Sequence, residues 1–198
     1  MKYWRIIYMS QEIEIEYKNL LTIDEYKRLF RKLPFPEIGQ EQVNYYFETI
    51  DFALRKNSCA LRIREKNKIY QLTLKEPHPQ GLLETHDLLT KSEALSWLKG
   101  HIIEKEHIKK QLATFNISFK NLLYFGSLTT IRREVKYNNV LLVLDQSTYN
   151  GQTDYEFELE ANTVDIGLQV FNDLLHEHKI VKKDTPNKIQ RFFTTIPK

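Results

Sequence analysis

Apolar and polar residues alternate along several segments of the chain, and this pattern predicts the strands. The first segment, 11–18, contains E-I-E-I-E-Y-K, with glutamates on one face and Ile13, Ile15 and Tyr17 on the other. A period of two residues is typical of a strand whose two faces differ. Comparable runs predict six more strands, within 44–50, 59–65, 68–77, 122–137, 140–146 and 154–160.

Helical spacing of apolar residues separates these strands. Thr22 suits the N-cap of a helix that ends at Leu33-Pro34, because proline cannot continue a helix. Thr90-Lys91-Ser92-Glu93 fits a capping box that opens a second helix. Further helices are predicted over 102–115, over 163–178 and from Asp184 onward. The resulting order, β-α-βββ-αα-βββ-αα, predicts an α+β protein with mostly antiparallel strands.

Composition and charge narrow the class of protein. The 198 residues, 41% of them hydrophobic, are enough for one domain with a substantial core. The mean hydropathy of -0.49 and the lack of an apolar run of about 18 residues predict a soluble protein with no membrane partner. A net charge of only +3 argues against a nucleic-acid partner. Cys59 is the single cysteine, which favours the reducing cytoplasm.

Acidic and basic residues are sorted into different strands. Glutamates two positions apart on one strand face lie about 6.5–7 Å from each other. At an effective dielectric constant near 20, each such pair costs about 2.4 kcal/mol, so the acidic faces need cations. Carboxylate-rich sites suit Mg²⁺ or Mn²⁺, and the basic faces would bind a polyanion. The acidic faces carry Glu12, Glu14, Glu16, Glu156, Glu158 and Glu160, and the basic faces carry Arg62, Arg64 and Lys75.

A series of motifs along the chain resembles one known family. E-I-E-Y-K at 14–18 matches the E-x-E-x-K signature of the CYTH superfamily, also called triphosphate tunnel metalloenzymes. The signature alone is a weak pattern, but the ordered matches that follow it, with the right alternation of faces, are specific. They are L-R-I-R, Q-L-T-L-K, G-S-L-T-T-I-R-R-E, V-L-D-Q-S-T-Y and D-Y-E-F-E-L-E, followed by a terminal lysine in P-N-K-I-Q-R-F-F. The arrangement is similar to that of small Bacillus-type CYTH proteins.

The resemblance implies a fold and an activity. The fold would be a closed eight-stranded antiparallel β-barrel with a polar tunnel, covered by helices, in a single CYTH domain over 1–198. Members hydrolyse inorganic, nucleoside or thiamine triphosphate with Mg²⁺ or Mn²⁺, and one branch cyclises ATP. We therefore expect a metal-dependent triphosphatase that acts on a small triphosphate-containing molecule, as a monomer or homodimer. A CYTH-type adenylate cyclase and a non-catalytic triphosphate sensor are the alternatives.

The motifs also imply roles for eleven residues. Metal coordination is implied for Glu14, Glu16, Asp145, Glu158 and Glu160. Binding of phosphate oxygens is implied for Lys18, Arg62, Arg64, Lys75, Arg132 and Lys188. Direct catalytic roles are implied for Glu14, Glu16, Lys18 and Asp145.

Some positions leave a choice. Arg132 and Arg133 are adjacent, so only one can face inward, and the apolar neighbours of Arg133 favour Arg132. The family often has lysine at the position of Thr130, which removes one positive charge here. Asp145 reads either as a metal ligand or as the start of a turn, and Arg191 either as a site residue or as part of a solvated helix face.

Other positions lie outside the motifs. Glu12 and Glu156 are each one step beyond their motif and are expected at the tunnel mouth. The six histidines show no ligand spacing. Residues 1–8 precede the usual start of the family motif, so they are either an N-terminal extension, such as an added strand, or the result of a misassigned start before Met9.

Overall fold

The computed structural model describes residues 10–196 and contains eight strands. The strands are β1 (Gln11–Leu21), β2 (Gln40–Thr49), β3 (Ala60–Lys66), β4 (Ile69–His78), β5 (Gly81–Leu89), β6 (Leu122–Tyr137), β7 (Val140–Tyr149) and β8 (Gln152–Ala161). All neighbouring strands are antiparallel and close into one barrel in the order β1-β5-β4-β3-β2-β6-β7-β8. The closed eight-stranded antiparallel barrel is therefore confirmed. The proposed extension, 1–8, lies outside the described residues.

Within residues 10–196, six α-helices connect and cover the strands. They are α1 (Ile23–Lys32), α2 (Ala53–Lys56), α3 (Lys91–Leu98), α4 (Glu106–Thr114), α5 (Val164–Glu177) and α6 (Lys188–Thr194). Both predicted caps are confirmed, because Thr22 and Thr90 each form a capping box with the glutamate three residues later. α4 begins four residues later than predicted, and α6 begins at Lys188 rather than at Asp184. Within 10–196, no helix is long and apolar enough to cross a membrane.

Strand β1 closes the barrel by dividing its pairing between two partners. Residues 11–14 pair with β5, and residues 15–21 pair with β8. Because side chains alternate along a strand, the even-numbered residues of β1 all face the barrel interior. This interior is called the tunnel below.

Strand β5 is the one that the alternation pattern missed. Polar residues occupy both of its faces, so no single apolar face is visible in G-L-L-E-T-H-D-L-L. Glu84 and His86 face the tunnel, whereas Asp87 faces outward and accepts hydrogen bonds from the backbone of Ile108 (2.9 Å) and from His107 (2.7 Å). The outer carboxylate thus fixes the start of α4 on the barrel wall.

The apolar outer faces of the barrel form two cores under the helices. Trp97, Ile108 and Leu112 of α3 and α4 pack over β3 and β4, and all three are fully buried. Leu29 of α1 and Phe171 of α5 cover β7 and β8 on the other side. With helices on the outside, the polar faces are left to line the tunnel.

Candidate active site

Charged side chains from seven strands and α6 point into the tunnel. It holds about 760 Å³ of space free of protein atoms, part of it open to solvent. Nine of the eleven residues with predicted roles line this space: Glu14, Glu16, Lys18, Arg62, Arg64, Lys75, Arg132, Glu158 and Lys188. The other two lie beside it, since Asp145 is buried in the wall and Glu160 borders a neighbouring cavity together with Glu12 and Glu14.

Three glutamates form the densest acidic group. Glu16, Glu156 and Glu158 each place one carboxylate oxygen within 4.8 Å of the others. The expectation that Glu156 lies at the mouth is wrong, because its exposure is 1%. Glu156 lies two residues before Glu158 on the same face of β8. Helix α6 covers this end of the barrel and encloses Glu156. Glu12 is half-exposed at the start of β1, as expected for a residue at the mouth.

Two further carboxylates sit near this group with raised pKa values. Burial raises the pKa of Glu14 to about 7, and repulsion from Glu16 adds to the shift while Lys75 opposes it. Burial raises the pKa of Glu160 to about 6, with repulsion from Glu158 adding to it and Arg132 opposing it. At both carboxylates, burial outweighs the effect of the nearby cation and favours the neutral form.

Asp145 is held entirely by cations. The Nε and Nη2 atoms of Arg132 donate to its two carboxylate oxygens at 2.9 and 2.6 Å, and Nζ of Lys188 lies 3.0 Å away. The alternative of a turn residue is wrong, because Asp145 lies within β7 and is fully buried. Its bidentate contact fixes the guanidinium plane of Arg132.

Arg132 and Lys188 also bind Glu158. Arg132 donates to Glu158 at 2.6 Å, and Lys188 contacts both Glu158 and Glu156, the latter at 3.1 Å. Burial alone would raise the pKa of Glu158, but these two cations hold it well below its usual range. The inward orientation of Arg132 is confirmed, since Arg133 lies outside, 4.9 Å from the ring centre of Phe30.

Arg62, Arg64 and Lys75 of β3 and β4 form the basic wall of the tunnel. Glu84 of β5 lies among them and was not predicted from the sequence. Lys75 contacts Glu14 at 2.5 Å and also Glu84 of β5, whose Oε1 atom lies 3.9 Å from Arg62. Despite burial, Lys75 and Arg62 lower the pKa of Glu84 to about 2. A signal existed in the sequence, namely a glutamate and a histidine two residues apart, but β5 was not identified as a strand.

Arg64 is a partly buried cation without a carboxylate partner among residues 10–196. Its Nε donates to Asn44 at 3.4 Å. Burial and the neighbouring Arg62 and Arg132 lower its pKa to about 10. Thr130 stands where the family often has lysine, so no cation occupies that position. Its hydroxyl group forms a buried hydrogen bond with that of Ser147 at 3.0 Å.

Helix α6 carries site residues across one end of the barrel. Phe192 packs against Tyr46 and Tyr149, with ring centres 5.2 and 6.3 Å apart. Arg191 is a site residue rather than a solvated one, because its Nε binds Asp154 at 2.8 Å and its Nη2 contacts Glu156. The aromatic contacts and these ion pairs together position Lys188 inside the tunnel.

The carboxylates fit a divalent cation. The Glu16, Glu156 and Glu158 group offers only oxygen donors, which Mg²⁺ and Mn²⁺ prefer. The Oε1 atom of Glu156 is buried without a hydrogen-bond partner among the described residues, and such an atom is available to a metal ion. In this arrangement Glu156 is a better-placed ligand than Asp145, whose oxygens are already bound by Arg132 and Lys188.

Comparisons with known proteins agree with this architecture. The CYTH domain profile matches residues 12–193. "Putative triphosphatase YjbK" of Bacillus subtilis (strain 168) is 45% identical over 186 residues, which cover 93% of this chain and 96% of that protein.

Solved structures show the same fold. A crystal structure from Bacillus halodurans, named as a "putative adenylate cyclase", has a TM-score of 0.90 and 42% identity, and the match covers 93% of this chain and 100% of that one. HpAC1 from Hippeastrum, described as having a dominant triphosphatase activity, has a TM-score of 0.74 at 23% identity and covers 92% of this chain and 96% of its own. With its barrel, its inward-facing charges and these matches, the chain belongs to the CYTH domain family.

Proposed function

We propose that this protein is a metal-dependent triphosphatase that hydrolyses inorganic, nucleoside or thiamine triphosphate inside the tunnel. The observation that carries the proposal is the group of three guanidinium groups, on Arg62, Arg64 and Arg132, that line the tunnel. Their burial and mutual repulsion lower the pKa of Arg64 to about 10, so an anion in this place would relieve an unfavourable arrangement. The similarity to a protein named as a triphosphatase supports the same substrate class.

The cations would bind and orient the substrate. Arginine can contact two phosphate oxygens at once, whereas lysine acts as a compact point charge. Arg62 and Arg64 lie on the same face of β3, two residues apart, which spaces them about 6.5–7 Å along the strand. They would thus grip neighbouring phosphate groups of an extended chain, with Lys18, Lys75 and Lys188 placed around them.

The carboxylates would hold the metal. Glu16, Glu156 and Glu158, with Glu14 and Glu160 beside them, are the residues that we assign to Mg²⁺ or Mn²⁺ binding. When bound, such an ion supplies positive charge opposite the phosphate oxygens and lowers the barrier to attack by water. The protein's own contribution is to position the phosphate chain.

The experiment is a panel of triphosphates assayed for phosphate release with Mg²⁺ and with Mn²⁺. Arg62→Gln should lose activity, whereas Arg133→Gln, a change of the same kind on the outer face, should keep it. Chromatography of the products from ATP separates hydrolysis from cyclisation. Cyclic AMP as the main product would favour the cyclase. Tight triphosphate binding with no phosphate release under any condition would favour a sensor, and either result would refute the proposal.

A further inference from the structure

A second group of metal-ligating side chains lies at the mouth of the tunnel, apart from the carboxylate group described above. It consists of Glu12, Glu84 and His86. Glu12 pairs with Glu84 across β1 and β5, and His86 follows Glu84 on the same strand face. The Nε2 atom of His86 lies 3.1 Å from Oε1 of Glu12 and 3.4 Å from Oε2 of Glu84. One ligand atom from each residue lies within 4.8 Å of the other two.

These separations fit a tetrahedral zinc site. Zinc binds imidazole nitrogen and carboxylate oxygen at about 2.0–2.2 Å, so two such ligands at the tetrahedral angle are about 3.3–3.5 Å apart. Both distances from His86 Nε2 are close to this range. Imidazole favours zinc over magnesium, which distinguishes this group from the one that contains only carboxylates.

The surroundings of His86 hold its ring in a fixed orientation, as in preorganised metal sites. The Nδ1 atom of the ring lies 3.0 Å from Oγ1 of Thr73, which is itself buried. Such a contact on the far ring nitrogen fixes the orientation of a metal-binding imidazole. His86 is 8% exposed, while the Glu12 side chain is 53% exposed. An ion can therefore reach the group from solvent on the side of Glu12.

We propose that Glu12, Glu84 and His86 bind a zinc ion at the tunnel mouth. This proposal does not rest on the proposed hydrolysis. Glu84 nevertheless connects the zinc site to the basic wall. The Oε1 atom of Glu84 contacts Lys75, and its Oε2 atom faces His86. A zinc ion on Oε2 would weaken the attraction of Glu84 for Lys75 and leave that lysine freer to bind an anion.

The test is calorimetric titration of Zn²⁺ into the full chain in excess Mg²⁺, which competes for the sites that contain only oxygen ligands. We expect one Zn²⁺ per chain for the wild type and for His107→Gln. The latter is a matched control because His107 also pairs with a carboxylate, Asp87, but outside the barrel. His86→Gln and Glu12→Gln should lose this ion, and Thr73→Val should weaken its binding roughly 10–100-fold.

Two measurements keep the result unambiguous. Glu12 is exposed, so loss of zinc in Glu12→Gln cannot be attributed to unfolding, and circular dichroism checks the fold of each variant. Substitution with Co²⁺ should give the strong visible absorption of a tetrahedral ion in the wild type and not in His86→Gln. The proposal is overturned if the wild type binds no zinc in excess Mg²⁺. It is equally overturned if His86→Gln binds zinc as tightly as the wild type, or if only Glu16→Gln removes the ion.

Discussion

Replacement of Lys188 by methionine tests whether this lysine stabilises the fold by neutralising the buried carboxylates around it in the absence of a metal. Its Nζ atom lies 3.0 Å from Asp145 and 3.1 Å from Glu156, and it also contacts Glu158. At 3.0 Å and an effective dielectric constant of 20, one such contact is worth about 5.5 kcal/mol before desolvation. Desolvation of the buried ammonium group offsets much of this, so the net loss should be about 3–5 kcal/mol, as for other broken buried ion pairs.

The assay is urea unfolding of the wild type and Lys188→Met in a chelator and again with Mn²⁺. The matched control is Lys110→Met, because Lys110 lies on a helix and pairs with Glu106 at 2.7 Å but is largely exposed. An exposed pair of this kind contributes only about 0.3–0.5 kcal/mol. Mn²⁺ should restore much of the stability of Lys188→Met, because it would neutralise the same carboxylates. Equal free energies of unfolding for the two variants in chelator would refute the reasoning.

Three other substitutions test two carboxylates and one arginine of the tunnel separately. Glu14→Gln should lower phosphate release roughly a hundredfold or more while the circular dichroism spectrum stays unchanged, because metal ligation contributes several kcal/mol; full activity would contradict the assignment. Glu84→Gln should cost about 3 kcal/mol of unfolding free energy near pH 7, because the folded pKa of about 2 is below the ordinary 4.5. That difference is fully present above pH 4.5 and should shrink as the pH falls toward 2; a constant difference would contradict it. Arg64→Gln should weaken binding of inorganic triphosphate about 10–100-fold by calorimetry, with little loss of stability because Arg64 has no ion pair within 10–196; unchanged affinity would exclude it as a phosphate ligand.

Strands with one charged and one apolar face could be predicted from the sequence, because their alternation reflects a physical boundary between the tunnel and the helical layer. This holds for β1, β3, β4 and β8, and it also placed Arg132 inside and Arg133 outside the barrel. β5 could not be predicted in this way, because Asp87 on its outer face serves as an anchor for α4. Where a polar residue on the apolar face has a tertiary partner, the period-two signal disappears.

The partners of each charge could not be predicted from the sequence. Glu156 and Glu12 occupy equivalent positions outside their motifs, yet one is 1% exposed and the other lies at the mouth. The difference arises from α6, which is distant in sequence and covers only one end of the barrel. Likewise, Asp145 meets Arg132 because β6 and β7 pair in that register. Such contacts depend on strand register and barrel closure rather than on local pattern.

The ion pairs in the tunnel imply that the metal and the triphosphate affect each other's binding. Without ligands, the cations proposed to bind phosphate already have carboxylate partners, with Arg64 as the exception. A triphosphate without a metal would draw Arg132 and Lys188 from Glu158 and leave that carboxylate buried and unpaired, which is costly. A metal without a triphosphate would in turn take Glu158 from Arg132 and Lys188 and leave these two cations to share Asp145. Only when both ligands enter is every buried charge matched again, so each ligand should strengthen the binding of the other.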